Sequence, residues 1–154
     1  MRYRQLNPQA REVTFALIFD SGDEVMQTLE AFAAEHHLHG SHFTAIGAFS
    51  DATIAWFDYE QRQYRNMPVR QQVEVLVLSG DIATSDGKPK VHAHVVLGKS
   101  DGSAIGGHLV EAHVRPTLEV VLQEMPAHLR RTVHDPSGLP LIDLDASAAG
   151  SETV

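Results

Sequence analysis

Apolar residues recur along this chain with two periods, and the two periods assign its elements. Residues 11–20, REVTFALIFD, read as a first strand. Val25, Met26, Leu29, Phe32 and Ala33 then follow helical spacing, which predicts an amphipathic helix over 23–37. Ser21 or Asp23 is its expected cap and Gly40 its expected stop. Residues 42–57 read as two short strands, or one continuous strand through GAFSDA, and Tyr64–Val69 as another. VEVLVLSGDIA, 73–83, is strongly strand-like and TSDGKPK is a turn. Residues 90–99 and 103–114 form a hairpin around SDG; Arg115-Pro116 interrupts it, and TLEVVLQE resumes as a strand. One helix among many strands predicts an α+β single domain with a mixed, mainly antiparallel β-sheet. The domain is expected over 1–144, with 145–154, small and polar, as a flexible tail. A Rossmann or TIM-barrel fold is excluded, because helices do not alternate with the strands and the phosphate-binding glycine pattern is missing.

Composition narrows the chemistry. The 154 residues include no cysteine, so there is neither a disulfide framework nor a thiolate site. No signal-peptide pattern and no apolar run of membrane-spanning length occurs, so the expected location is the cytoplasm, with no membrane partner. Twenty acidic residues outnumber twelve basic ones, giving a net charge of −8. That balance is a poor basis for holding phosphates, since nonspecific nucleic-acid affinity comes from Lys and Arg. Ten histidines are the compositional oddity; most cluster at 36–42, 92–94 and 108–113.

VHAHVVLG, 91–98, places His92 and His94 on one face of a strand whose other face is apolar. If Ser100-Asp101-Gly102 is a three-residue loop with Gly102 left-handed, Lys99 pairs with Ser103 and His94 lies opposite His108. Opposed residues share a face with Cβ atoms about 4.5–5.5 Å apart, so three imidazoles converge. A two-residue Asp-Gly turn would instead put His108 on the other face. Three neutral imidazoles with an open position are the ligand set of a catalytic zinc site, and they also suit other divalent transition metals. The competing reading makes them polar core residues or solvent-facing side chains.

The stretch VHAHVVLGKSDGSAIGGHLVEAHVRPTLEVVL, 91–122, resembles the PPC domain family, also known as DUF296 or the PD1-like family. The pattern is His-x-His, an Asp-Gly turn, Gly-Gly-His-Leu, then Thr-x-Glu. VEVLVLSGDIA and FTAIGAFSDATIAWFDYEQRQY resemble the family's preceding segments, so the resemblance covers about residues 10–142. It implies a sheet flanked by helices, a fold shared with acetolactate decarboxylase, a homotrimer, and metal ligation by His92, His94 and His108. Plant relatives carry an Arg-Gly-Arg-Pro arm that reads DNA. This chain has only Arg115-Pro116, so DNA binding is doubtful on its residues.

Glu119 stands in an otherwise apolar strand. It is a candidate fourth ligand, hydrogen-bond acceptor for a ligand histidine, or catalytic proton-transfer group, against the alternative of an exposed edge position. Glu74 raises the same question, and Arg70 and Arg115 are candidate anion holders whose simpler role is surface solvation. His36, His37, His39 and His42 fit the C-terminal end of a helix. His113 falls on the face opposite His108 if the strand is unbroken. His128 and His134 carry no spacing signal, and Trp56, Phe57 and Tyr59 read as packing aromatics. Three functions follow: a zinc metalloenzyme acting on a small molecule, a DNA-associated protein, or a non-catalytic assembly module.

Overall fold

A computed structural model describes residues 1–7 and 12–148. Among these described residues nine strands form one sheet: β1 (Arg2–Gln5), β2 (Val13–Asp20), β3 (Gly40–Asp58), β4 (Gln63–Val69), β5 (Val73–Ser85), β6 (Lys88–Gly98), β7 (Ala104–Glu124), β8 (Arg130–His134) and β9 (Leu139–Asp143). All pairings are antiparallel except a single parallel bridge, Thr84 with Arg130, that joins β8 to β5. β3, β5, β6 and β7 pair cyclically, because β3 and β7 are long enough to bend and serve two sets of neighbours.

The helix α1 (Val25–Glu35) buries Val25, Leu29, Phe32 and Ala33, the i, i+4, i+7, i+8 stripe read in the sequence. They pack with Phe15, Phe19 and Leu118 of the sheet in one core. Its cap is Glu24, not Ser21 or Asp23: the carboxylate accepts from the Met26 and Gln27 backbone N–H groups. Its end differs too. His37 takes a left-handed φ of 54° and Leu38 N–H returns to the Ala33 carbonyl, which closes the helix at Glu35, five residues before Gly40. Gly40 begins β3 instead, where a Cβ would lie 2.4 Å from the Ala127 carbonyl oxygen.

Further differences follow from the sheet. Flanking helices are fewer than expected among the described residues: besides α1 there is only α2 (Leu144–Ala148), five residues that include Asp145 and follow β9. Residues 149–154 of the expected tail lie outside the described residues. β7 runs through Arg115-Pro116, and the interruption there is one of register: Gly47 pairs with Leu118 and Phe49 with Val114, so the β3–β7 pairing skips residues 115–117. Gly47 permits that bend: a Cβ there would lie 2.3 Å from the Thr117 carbonyl oxygen.

Candidate metal centre

Two turns set the site. Between β5 and β6, Asp86 and Gly87 both have positive φ, 49° and 76°, as a two-residue type I′ hairpin requires. The resulting register places Asp81 opposite His92 and Ser79 opposite His94. Between β6 and β7, Lys99 N–H donates to the Ser103 carbonyl (2.8 Å), Gly102 has φ 80°, and the Asp101 carboxylate accepts from Ser103 N–H (2.9 Å). This is the three-residue loop, and it puts His94 opposite His108. Gly107 lets β7 approach β3 beside His108, since a Cβ there would stand 2.6 Å from the Ala55 carbonyl oxygen.

The three imidazoles therefore meet. Ring centroids are 5.1 Å apart for His92–His94 and His92–His108, and 5.6 Å for His94–His108. One nitrogen of each lies within 4.8 Å of the others. Tyr64 of β4 stacks on His108 at 4.9 Å and an interplanar angle of 28°. Burial, with the nearby His92, His94 and Lys90 charges, pushes the His108 pKa down to about 4. Burial and His92 lower His94 as well. His94 and His108 are thus neutral at pH 7, the form that ligates metals.

Nδ1 of His108 is buried with no hydrogen-bond partner. An orphaned nitrogen is costly in a dry setting, and a cation among the three imidazoles offsets that cost. The donor set thus fits a divalent transition metal.

The site opens into a cavity of about 930 Å³. Its walls include Trp56, Phe57, Tyr64, Leu139 and Leu141, with Glu111 and Arg131 among its polar lining. Asp81 and Arg131 escaped the sequence reading. Asp81 was open to the same register counting as the histidines, from the Asp-Gly turn. Arg131 was not, because β8 reaches β5 through one parallel bridge that no local pattern announces. The Arg131 side chain is 6% exposed and its NH2 lies 2.5 Å from Asp81 Oδ1. Burial favours a neutral Asp81, but the His92 and Arg131 contacts outweigh it and hold the carboxyl below its usual range.

Other candidates stand elsewhere. Glu119 is exposed and lines a separate shallow depression with Glu74, Ile46 and Leu76; neither carboxylate lines the histidine cavity. Arg70 and Arg115 are exposed outside it. His113 pairs with Asp51 at 2.8 Å. His36 packs on Phe32, with centroids 4.2 Å apart, and His39 lies beside His128 at 5.0 Å. No other group of three or more potential ligands gathers in this way among the described residues.

Several solved structures are similar. A metal-containing protein from Archaeoglobus fulgidus is 35% identical, with a TM-score of 0.80 over 84% of this chain and 92% of its own. A plant- and prokaryote-conserved (PPC) protein from Pyrococcus horikoshii is 30% identical, with a TM-score of 0.80 over 84% and 90%. A proposed DNA-binding protein from Ralstonia eutropha is 28% identical, with a TM-score of 0.82 over 92% and 94%. A Staphylococcus aureus protein described as similar to alpha-acetolactate decarboxylase shares the fold alone, at 13% identity and a TM-score of 0.54 over 71% of this chain and 51% of its own. No curated protein matches. The model of the Plants and Prokaryotes Conserved (PCC) domain spans residues 8–126, and the chain belongs to that family.

Proposed function

We propose that His92, His94 and His108 hold a divalent transition metal, with zinc the first choice, and that the site acts on a small molecule in the adjoining cavity. The observation that carries this reading is the convergence of three imidazoles, one of which, His108, has a buried, unpartnered Nδ1. The metal-containing Archaeoglobus relative supports it. Such an ion supplies Lewis acidity, polarising a substrate oxygen or bringing the pKa of a coordinated water to about 7.

The chain's own residues would do the rest. Trp56, Phe57, Leu139 and Leu141 give an apolar wall that orients a ligand and displaces water, and about 930 Å³ is within the usual range for a small-molecule pocket. Glu24, Glu30, Tyr64, Lys90 and Glu111 are, besides the histidines, cavity groups able to exchange a proton; Glu119 takes no part in this reading. Among the described residues no helix is long and apolar enough to cross a membrane, and the cytoplasm is the compartment we assign.

Metal analysis of protein purified without a histidine tag tests the proposal. The expected result is close to one metal per chain, lost when His92 and His94 are both replaced by Ala. Full metal content in that double variant, or none in the parent, overturns it.

A further inference from the structure

His92 differs from its two companions in having charged neighbours at one ring nitrogen. Its Nδ1 lies 3.6 Å from Asp81 Oδ2 and 3.4 Å from Arg131 NH2. Asp81 is there because the Asp86-Gly87 turn places it directly across from His92. Arg131 is there because the β8–β9 hairpin docks on the end of β5. Thr84 N–H donates to the Leu129 carbonyl at 2.8 Å, and Arg130 N–H to Ser147 Oγ at 2.9 Å. The Arg131 guanidinium then lies between two acceptors: NH2 against Asp81, and NH1 donating to the Pro140 carbonyl at 3.0 Å. Its side chain is almost wholly buried.

A neutral imidazole carries one hydrogen, and this surrounding offers it two places. With the hydrogen on Nδ1, His92 turns it toward Asp81 Oδ2, an ion-pair contact at 3.6 Å rather than a hydrogen bond, and leaves Nε2 bare. With the hydrogen on Nε2, Nδ1 accepts from Arg131 and Nε2 cannot ligate. Arginine only donates, so it cannot stabilise an Nδ1 hydrogen itself; it does so only through a carboxylate it holds in place.

We infer that Asp81 and Arg131 are a positioning pair for the histidine centre: Asp81 fixes His92 in the tautomer that presents Nε2, and Arg131, carried by the C-terminal hairpin, holds Asp81 in place. The inference rests on the metal reading of the three histidines. It adds a contribution from outside the family segment, because Arg131 lies beyond residues 8–126. Metal affinity thereby depends on the docking of β8 and β9, which supply no ligand of their own.

Zinc affinity by chelator competition, read together with apo-protein melting temperature and histidine ¹⁵N shifts, tests it. Replacing an outer-sphere partner of a ligand histidine costs roughly 10–100-fold in metal affinity. Asp81→Ala is expected to fall in that range, and Arg131→Met to weaken zinc in the same direction. Asp81→Asn keeps an acceptor oxygen at the same place, so it should recover part of the Asp81→Ala loss. The ¹⁵N shifts of His92 should move from the Nδ1–H form in the parent toward the Nε2–H form in Asp81→Ala. A parent that binds no zinc would remove the metal reading itself. A parent that binds while all three variants bind equally would overturn the positioning role alone. So would affinity losses that merely track losses of apo stability with an unchanged His92 tautomer.

Discussion

His94 of β6 stands opposite His108 of β7, and the loop that sets this register closes on a left-handed Gly102 eight residues beyond His94. Two glycines beside this pair should respond differently to a methyl group. Gly102 has open space around its would-be Cβ, so Gly102→Ala meets only backbone strain from φ 80°, about 1–2 kcal/mol. Metal stoichiometry should be unchanged. Gly107 meets the Ala55 carbonyl oxygen at 2.6 Å, so Gly107→Ala must push β7 away from β3, at a cost of about 1–3 kcal/mol. Because the displaced backbone adjoins His108, zinc affinity should fall as well. Urea melts and chelator competition on the two variants check the contrast; equal effects on zinc would contradict it.

Much of the site was legible because a hairpin register is local. Once SDG is taken as a three-residue loop, His92, His94 and His108 follow by counting, and the DG at 86–87 would have yielded Asp81 in the same way. The helix was legible from Val25, Leu29, Phe32 and Ala33, but its ends were not. Glu24 displaced the expected caps because its longer side chain reaches both first-turn N–H groups and Ala112 N–H of β7. Arg131 and the closure of β3 on β7 are long-range pairings, which no window of sequence encodes. The place of Glu119 was not legible for a related reason: strand alternation says that a carboxylate leaves the core, but not which depression it enters.

The His113–Asp51 pair gives a pH signature remote from the histidine centre. The bond to Asp51 raises His113 above the ordinary imidazole value of 6.5, with Glu111 and Glu24 adding to it and slight burial opposing. The same bond, with one from Ser50, holds Asp51 below 3.8. Since the folded His113 value is the higher one, its contribution to stability is fully present below pH 6.5 and is lost as pH rises through the raised value. The Asp51 contribution runs the other way, present above pH 3.8 and lost as pH falls through its depressed value. The pair is exposed, so the whole effect should stay within about 1 kcal/mol. Proton NMR titration should find His113 above 6.5, and Asp51→Asn should return it toward that value. An unchanged titration in the variant would mean that the contact does not form in solution.

Ile46, Leu76 and Val121 are more than half exposed in the isolated chain. We propose that the homotrimer implied by the family resemblance covers them, since contiguous apolar surface on a monomer is unusual. Light scattering should then give about three times the 16.9 kDa chain mass, and Val121→Asp should shift the population toward monomer. A parent that is monomeric across micromolar concentrations would contradict the assembly.

DNA binding at physiological salt is not expected, although a relative from Ralstonia eutropha is described as a proposed DNA-binding protein. Affinity for duplex DNA comes mainly from Lys and Arg that neutralise phosphates and release counterions. Here twelve basic side chains face twenty acidic ones. Four of the twelve are already committed: Arg2 to Asp20, Arg65 to Asp58, Lys90 to Glu30 and Arg131 to Asp81. Arg131 is buried as well, so it offers no donor to a backbone outside. The one helix among the described residues long enough to enter a major groove, α1, has no basic residue in its last turn and turns its apolar stripe into the core. A homotrimer would carry about −24, three times the chain's −8, and would repel a polyanion at long range. Fluorescence anisotropy with a labelled duplex at about 150 mM salt should show no binding below 1 µM. Tighter binding that weakened steeply with added salt would refute this expectation, because that slope is the mark of displaced counterions. Binding abolished by chelator but insensitive to salt would instead place the nucleic acid at the histidine centre, as a ligand of the metal.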